Sequence, residues 1–333
     1  MKVKGVSYSS DKKLARCEKQ YSYRYDEKLK AKVKKRGLYI GDWMHQLTEA
    51  FRRDQDWKKK WKELKKTLWD SLFDEEKEMY GDVPSLSYEL MEHYIEHWED
   101  DHKKWKPLHI EEAYEKMTKY GWPVRWKSDY IVKEGKLTVL VENKNNKEIP
   151  DSGERILAPQ VHAYCWLLLK VKGIKIDVIV WDYVRTEPVP MPKINKDGTV
   201  SKRKINTDQR TFRKALREAK IQPDSGEEWL SIKEKLDALP ETLSLMRIRN
   251  APNFKVGELF VRQWIERARR AEKIVNPLRN WGRTCSWDCD YYNLCQAEML
   301  GKDTSVMRKK DFIQIEVKPE EELGGRNAIG RVQ

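Results

Sequence analysis

Glu142 and Lys144 stand two residues apart at the end of an apolar run, Leu137, Thr138, Val139, Leu140 and Val141, whose β-branched character suits a buried strand. A buried strand that ends in Glu142-Asn143-Lys144 places charges where desolvation is costly, and that marks a candidate site. The preceding segment, 123–132, alternates like a second strand, and Glu134-Gly135 between the two reads as a tight turn. A two-residue loop there sets Asp129 opposite Leu140, with Glu142 as its diagonal neighbour about 7–8 Å away on the same face. Lys144 shares that face. Two carboxylates so placed can share a divalent cation, and an ammonium beside them can hold or polarise an attacking water. Register decides the matter, because a glycine bulge at the turn would shift the pairing by one residue and flip the faces.

Glu-x-Lys alone carries little information, since it recurs at Glu63–Lys65, Glu75–Lys77, Glu134–Lys136 and Glu218–Lys220, mostly in solvated helical contexts. The strand context, Asp129 upstream and the segment APQVHAYCWLLLKVKG downstream set 142–144 apart. Pro159 suits a first helical turn and Gly173 a stop, so 159–171 reads as a helix with Gln160 and Tyr164 one turn apart on one face. A further strand follows at 176–184.

Asp129, Glu142-Asn143-Lys144 and Gln160-x-x-x-Tyr164 together resemble the PD-(D/E)XK nuclease core in its RecB-like form. The resemblance implies an α/β fold, a restriction-endonuclease-like core with a central mixed sheet flanked by helices. It implies that Asp129 and Glu142 bind Mg²⁺ or Mn²⁺, with the main-chain carbonyl of Asn143, and that Lys144 assists the nucleophilic water. Gln160 and Tyr164 would lie beside the active site and contact DNA. A metal-binding histidine on an earlier helix is also expected, and GDWMHQLTEAF supplies His45 in a Gly-x-x-x-His setting.

Cys285, Cys289 and Cys295 have C-x3-C-x5-C spacing, compact enough for three ligands to converge, and Cys17 can be the fourth. The arrangement is similar to that of RecB-like nucleases that carry an iron–sulfur cluster, where one cysteine near the start joins three near the end. Two departures stand out: Glu18 replaces the usual proline after the first cysteine, and C-x3-C replaces the frequent C-x2-C. The resemblance implies a structural [4Fe-4S] cluster clasping the chain ends; four thiolates equally suit tetrahedral Zn²⁺, which spacing leaves open. Disulfides are not expected in an intracellular chain. Cys165, inside the apolar helix, reads as a small core residue.

The elements that must position these residues follow from the rest of the chain. Its 333 residues, 39% hydrophobic and 36% charged, suit one elaborated domain or two. The expected organisation is a helical region 1–105, a nuclease core 106–186, a helical insertion or lid 187–250, a helix and cysteine cluster 251–301, and a polar, partly disordered tail 302–333. Within it, Ser9 or Ser10 should cap a first helix reaching Cys17, and 38–53 should form the helix carrying His45. Trp57, Trp61, Leu64, Leu68 and Leu72 fall on one packed helical face. His93 and His97, at i and i+4 on a helix over 85–104, read as part of an exposed polar face. Helices are expected to about Leu239, at 243–249 and at 256–274.

Sixty-seven Lys and Arg against 54 Asp and Glu leave a net charge of +13, interspersed with 14 Trp and 15 Tyr, a mix suited to a polyanion with stackable bases. With no 20-residue apolar span and no signal-peptide core, the chain is expected to be cytoplasmic and away from membranes. The resemblance, which extends to phage-encoded members, CRISPR-associated RecB-like exonucleases and the AddB nuclease domain, implies a DNA exonuclease preferring single strands or free ends, in recombination or repair. No Walker A sequence is present, so a helicase or recombination partner would be a separate protein. The alternatives are a structure-specific or nicking endonuclease and a non-catalytic zinc-clasped DNA-binding protein; intact Asp129, Glu142 and Lys144 argue against the last.

Overall fold

The computed structural model describes residues 5–147, 157–193, 195, 201, 205–220, 234 and 236–315. At its centre a five-stranded mixed sheet has the order β2-β3-β4-β5-β6. The strands are β2 (Trp105–Met117), β3 (Pro123–Glu134), β4 (Leu137–Asn146), β5 (Val178–Arg185) and β6 (Leu245–Asn250). All neighbours are antiparallel except β4 and β5, which run parallel. A separate ribbon pairs β1 (Leu29–Ala31) with β7 (Phe312–Gln314).

The helices that matter for the site are α1 (Tyr8–Arg16), α2 (Arg36–Arg52), α3 (Trp57–Leu64), α4 (Val83–Lys104), α5 (Pro159–Leu167), α6 (Gln209–Glu218) and α7 (Phe254–Glu272). Among the described residues, no helix is long and apolar enough to cross a membrane.

Strand alternation sorts the core. Ile131, Leu140, Ile179 and Trp181 join Leu14 of α1, Val161 and Trp166 of α5 and Trp264 of α7 on one side of the sheet. Tyr130, Val132, Val139, Val141 and Val180 pack together on the other. There α2, α3 and α4 form a layer in which Trp43, Met44, Leu47, Leu64, Leu68, Met91 and Tyr94 are buried, with Trp57, Trp61 and Leu72 against them, as the helical stripe predicts.

The turn between β3 and β4 differs from expectation. Glu134 pairs with Leu137, so Gly135 and Lys136 form the loop. Gly135, with φ +58°, supplies the left-handed conformation at the first loop position. Ile131 therefore faces Leu140 and Tyr130 faces Val141, and one further step sets Asp129 opposite Glu142, not opposite Leu140. The displacement is two residues, one full period, so every side chain keeps its expected face.

Three further expectations are corrected. Ser7, not Ser9 or Ser10, caps α1, because Ser7 and Ser10 form a reciprocal capping box: each side chain accepts from the other's backbone N–H, at 3.2 and 2.9 Å. Residues 245–250 form an edge strand where a helix was expected. Its Arg247 is a buried charge matched by Asp182 of β5, at 3.2 Å, so the alternation carries arginine where an apolar residue would have revealed a strand. His93 is buried instead of lying on an exposed face; its ring meets that of His97 edge-on at 5.7 Å, in a groove that Arg210 and Arg213 of α6 also line.

Beyond residue 302 the chain forms a short helix, Ser305–Asp311, before β7, and Phe312 stacks on Tyr291, centroids 5.5 Å apart. The remainder of the expected polar tail, from 316, lies outside the described residues, as does much of the expected insertion at 187–250.

Candidate active site

β2 and β3 bring two carboxylates together near their middles. Ile110 faces Tyr130 and Glu112 faces Ser128, so Glu111 stands across from Asp129. Glu111 has φ +53°, a left-handed conformation that a side-chain-bearing residue adopts only where its surroundings hold it. Two side chains do so: His45 Nε2 lies 2.6 Å from one carboxylate oxygen and Lys127 Nζ 2.6 Å from the other. Burial opposes the charge on Glu111, but His45 and then Lys127 outweigh it and hold its carboxyl down at about 2.

His45 comes from the middle of α2, where Ile40, Trp43, Met44 and Leu47 are fully buried and fix the helix against its neighbours. Ligand atoms of His45, Glu111 and Asp129 all lie within 4.8 Å of one another, the only such group of three among the described residues. An imidazole and two buried carboxylates are a donor set that suits a divalent cation. They line a cavity of about 440 Å³ together with Lys127, Gln160 and Tyr164.

The end of β4 supplies the next shell of contacts. Glu142 is only 1% exposed, and Lys144 Nζ donates to its carboxylate at 2.6 Å and to Oε1 of Gln160, which lines the cavity, at 2.9 Å. Gln160 Nε2 reaches the Tyr164 hydroxyl at 3.5 Å, so both residues of α5 face the strand end as their helical spacing implies. Burial, and after it the Glu142 charge, push the Tyr164 phenol well above its usual pKa, which keeps it a neutral hydroxyl. Asp129 Oδ2 accepts from the Asn143 backbone N–H at 3.0 Å, locking β3 to β4 at the level of Glu142.

Asn143 itself turns its side chain to the far face. Its Oδ1 accepts from Arg52 at 2.8 Å, within a buried network in which Arg52 also donates to Tyr94 and Asp182. Of the residues singled out in the sequence, His45, Asp129, Glu142, Lys144, Gln160 and Tyr164 come together, and the Asn143 side chain does not join them. Glu111 and Lys127 were missed. The only signal for Glu111 was an acidic pair, Glu111-Glu112, inside a strand; the backbone twist that turns it toward His45 leaves no local trace.

At the chain ends, Cys17, Cys285, Cys289 and Cys295 line one small cavity of about 30 Å³, ringed by Tyr23, Tyr291 and Tyr292. Burial raises the thiol pKa of Cys289 and Cys295. Their sulfurs do not form a group of ligand atoms as tight as that around His45. Cys165 is fully buried in the core of α5, as expected.

No curated protein matches the chain. The family model described as PD-(D/E)XK nuclease superfamily matches residues 5–296, from ahead of α1 to just past the last cysteine. The matched span contains the mixed sheet, the buried His45–Glu111–Asp129 group that can take a metal, and the Glu142-x-Lys144 strand end. Sheet, acidic centre and whole-length match agree on metal-dependent nuclease chemistry: the chain belongs to the PD-(D/E)XK nuclease superfamily.

Proposed function

We propose that the protein is a Mg²⁺- or Mn²⁺-dependent deoxyribonuclease that hydrolyses phosphodiester bonds as an exonuclease on single strands or free ends. The observation that carries the reading is the convergence of His45, Glu111 and Asp129 on the wall of a cavity that also reaches Gln160 and Tyr164, with Lys144 joining Glu142 to Gln160. His45, Asp129 and Glu142, with the main-chain carbonyl of Asn143, would hold a divalent ion, and Glu111 would join them. A divalent ion held there lowers the pKa of water and neutralises charge on the scissile phosphate. Lys144, fixed between Glu142 and Gln160, orients the attacking water, while Gln160 and Tyr164 position the strand. The preference for single strands or ends rests on the resemblance to RecB-like exonucleases.

The four thiols at the chain ends are the proposed ligands of a [4Fe-4S] cluster, with Zn²⁺ as the alternative. A cubane core spaces its ligands more widely than a single ion does, which suits thiols that line one cavity without closing on a point. Its role is structural: it ties the segment around residue 17 to 285–295. The protein acts on intracellular DNA.

The test is a DNase assay on linear, end-blocked and circular DNA, with Mg²⁺, Mn²⁺ or a chelator. Cleavage should need the metal, spare circles, and fall about 10²–10⁴-fold in Glu142→Ala and Lys144→Ala proteins that remain folded. The same replacements at Glu75 and Lys77, on the exposed helix Asp74–Tyr80, should change little. Full activity in a folded Glu142→Ala protein would sink the assignment.

A further inference from the structure

Ser9, Lys12, Lys13 and Arg16 fall at i, i+3, i+4 and i+7 along α1, so they share one face, and all four line the cavity that His45, Glu111 and Asp129 close. The opposite face of the helix is anchored. Leu14 is buried, Asp11 accepts from Arg267 of α7, and the Tyr8 ring lies 6.0 Å from that of Trp264. The cationic face is therefore held toward the acidic centre and cannot roll away from it.

The cations on this wall differ in their partners. Asp288, next to Cys289, pairs with Arg16 at 2.5 Å and with Lys35 at 3.5 Å, so one carboxylate from the C-terminal segment serves both. Among the described residues, Lys12 and Lys13 make no ion pair. Burial, then the Arg24 charge, then Lys12 and Arg16 lower the pKa of Lys13, with only Asp290 acting the other way. At Lys13 the cations around it outweigh Asp290, and an anion placed among them relieves the remaining repulsion. A DNA strand at the acidic centre brings such anions, because its backbone carries a phosphate on either side of the one being cut.

We infer that Lys12 and Lys13 form a phosphate subsite that holds the DNA strand beside the scissile position, with Arg16 and Lys35 fixed by Asp288 as its walls. The identity of the ligand as a DNA strand rests on the nuclease reading above. The two lysines act on strand binding, while hydrolysis belongs to the residues around His45, so their removal should raise KM and leave kcat nearly unchanged.

The experiment measures binding of a labelled single-stranded oligonucleotide in chelator, across a salt series, and then KM and kcat with metal. For Lys12→Gln/Lys13→Gln, the slope of log K against log salt should be shallower by about 1.4, two lost contacts at about 0.7 each, and KM should rise about tenfold. Lys12→Arg/Lys13→Arg should keep the wild-type slope. Lys59→Gln/Lys62→Gln on α3, an equal change of charge away from the cavity, should leave slope and KM alone. Thermal melting checks the fold; if the double variant melts early, Lys12→Gln alone should shift the slope by about 0.7. An unchanged slope and KM in the double variant, or an equal effect from the α3 pair, overturns the subsite. A protein that binds the strand through these lysines but cuts nothing overturns the nuclease reading and keeps the subsite. Cleavage with unaltered KM and slope does the reverse.

Discussion

Glu111 carries the most strained backbone of the acidic centre, at φ +53° in a strand whose register with β3 also shifts between Pro107 and His109. For an L-residue that conformation costs about 1–2 kcal/mol, and it persists because His45 and Lys127 grip the carboxylate. Two substitutions separate strain from chemistry. Glu111→Ala loses the carboxylate but keeps the Cβ that opposes this backbone angle, whereas Glu111→Gly loses both. Urea titration should find the glycine variant more stable than the alanine variant by about 1 kcal/mol. DNase activity should be lost in both. Equal stability would remove the strain argument, and activity retained in either would place Glu111 outside the centre.

Among the elements, the crossing of α5 and α7 places Gln160 and Tyr164. A Cβ added at Gly257 would sit 2.1 Å from the His162 carbonyl oxygen, so glycine is required for α7 to lie this close to α5. The start of α7 is tied to the same helix, since the Asn253 backbone N–H donates to His162 Nδ1 at 3.1 Å. Gly257→Ala should push the two helices apart, lower stability by about 1–3 kcal/mol and move α5 away from Lys144. Gly37→Ala, in the first turn of α2 where nothing lies within 4 Å of the added carbon, should be neutral or stabilising by about 0.5 kcal/mol. Thermal melting and DNase rates on both variants check the contrast; a wild-type rate in Gly257→Ala would show that α5 holds its place without α7.

Over the whole molecule, segments 16–29 and 278–291 meet beside the acidic cavity. Leu278 N–H donates to Glu18 at 2.8 Å, Asn280 donates to the Arg16 carbonyl at 2.9 Å, and Tyr291 donates to the Leu29 carbonyl at 2.7 Å. Glu18 thus contributes its own stitch between the two segments. Arg16 and Gln20 line both the acidic cavity and the cysteine cavity, so the two share a wall. Protein purified without oxygen should be brown and hold about four irons per chain. Cys17→Ala should lose metal and melt lower as a whole, because the ligand that joins the two ends is gone, while Cys165→Ala should keep its metal. Colourless protein with stoichiometric zinc would favour the zinc alternative, and a stable, metal-replete Cys17→Ala would end the clasp proposal.

Local periodicity alone determined which side chains share a face. Alternation puts Asp129, Glu142 and Lys144 on one face of the hairpin, and they share it although the turn falls one residue later than the sequence suggests, because the pairing moves by a full period of two. Helical spacing likewise aligned Gln160 with Tyr164 and set His45 among the apolar residues that bury α2. What the tertiary structure decided depends on partners far away in the chain. Arg247 became a buried strand residue through Asp182, 65 positions earlier, and the Asn143 side chain took its direction from Arg52, 91 positions away. Glu111 entered the centre through a backbone angle that only His45 and Lys127 together make tolerable. A window of neighbouring residues encodes period and parity, but the energy of a buried charge depends on a counter-charge brought in by folding, so such positions become legible only in three dimensions.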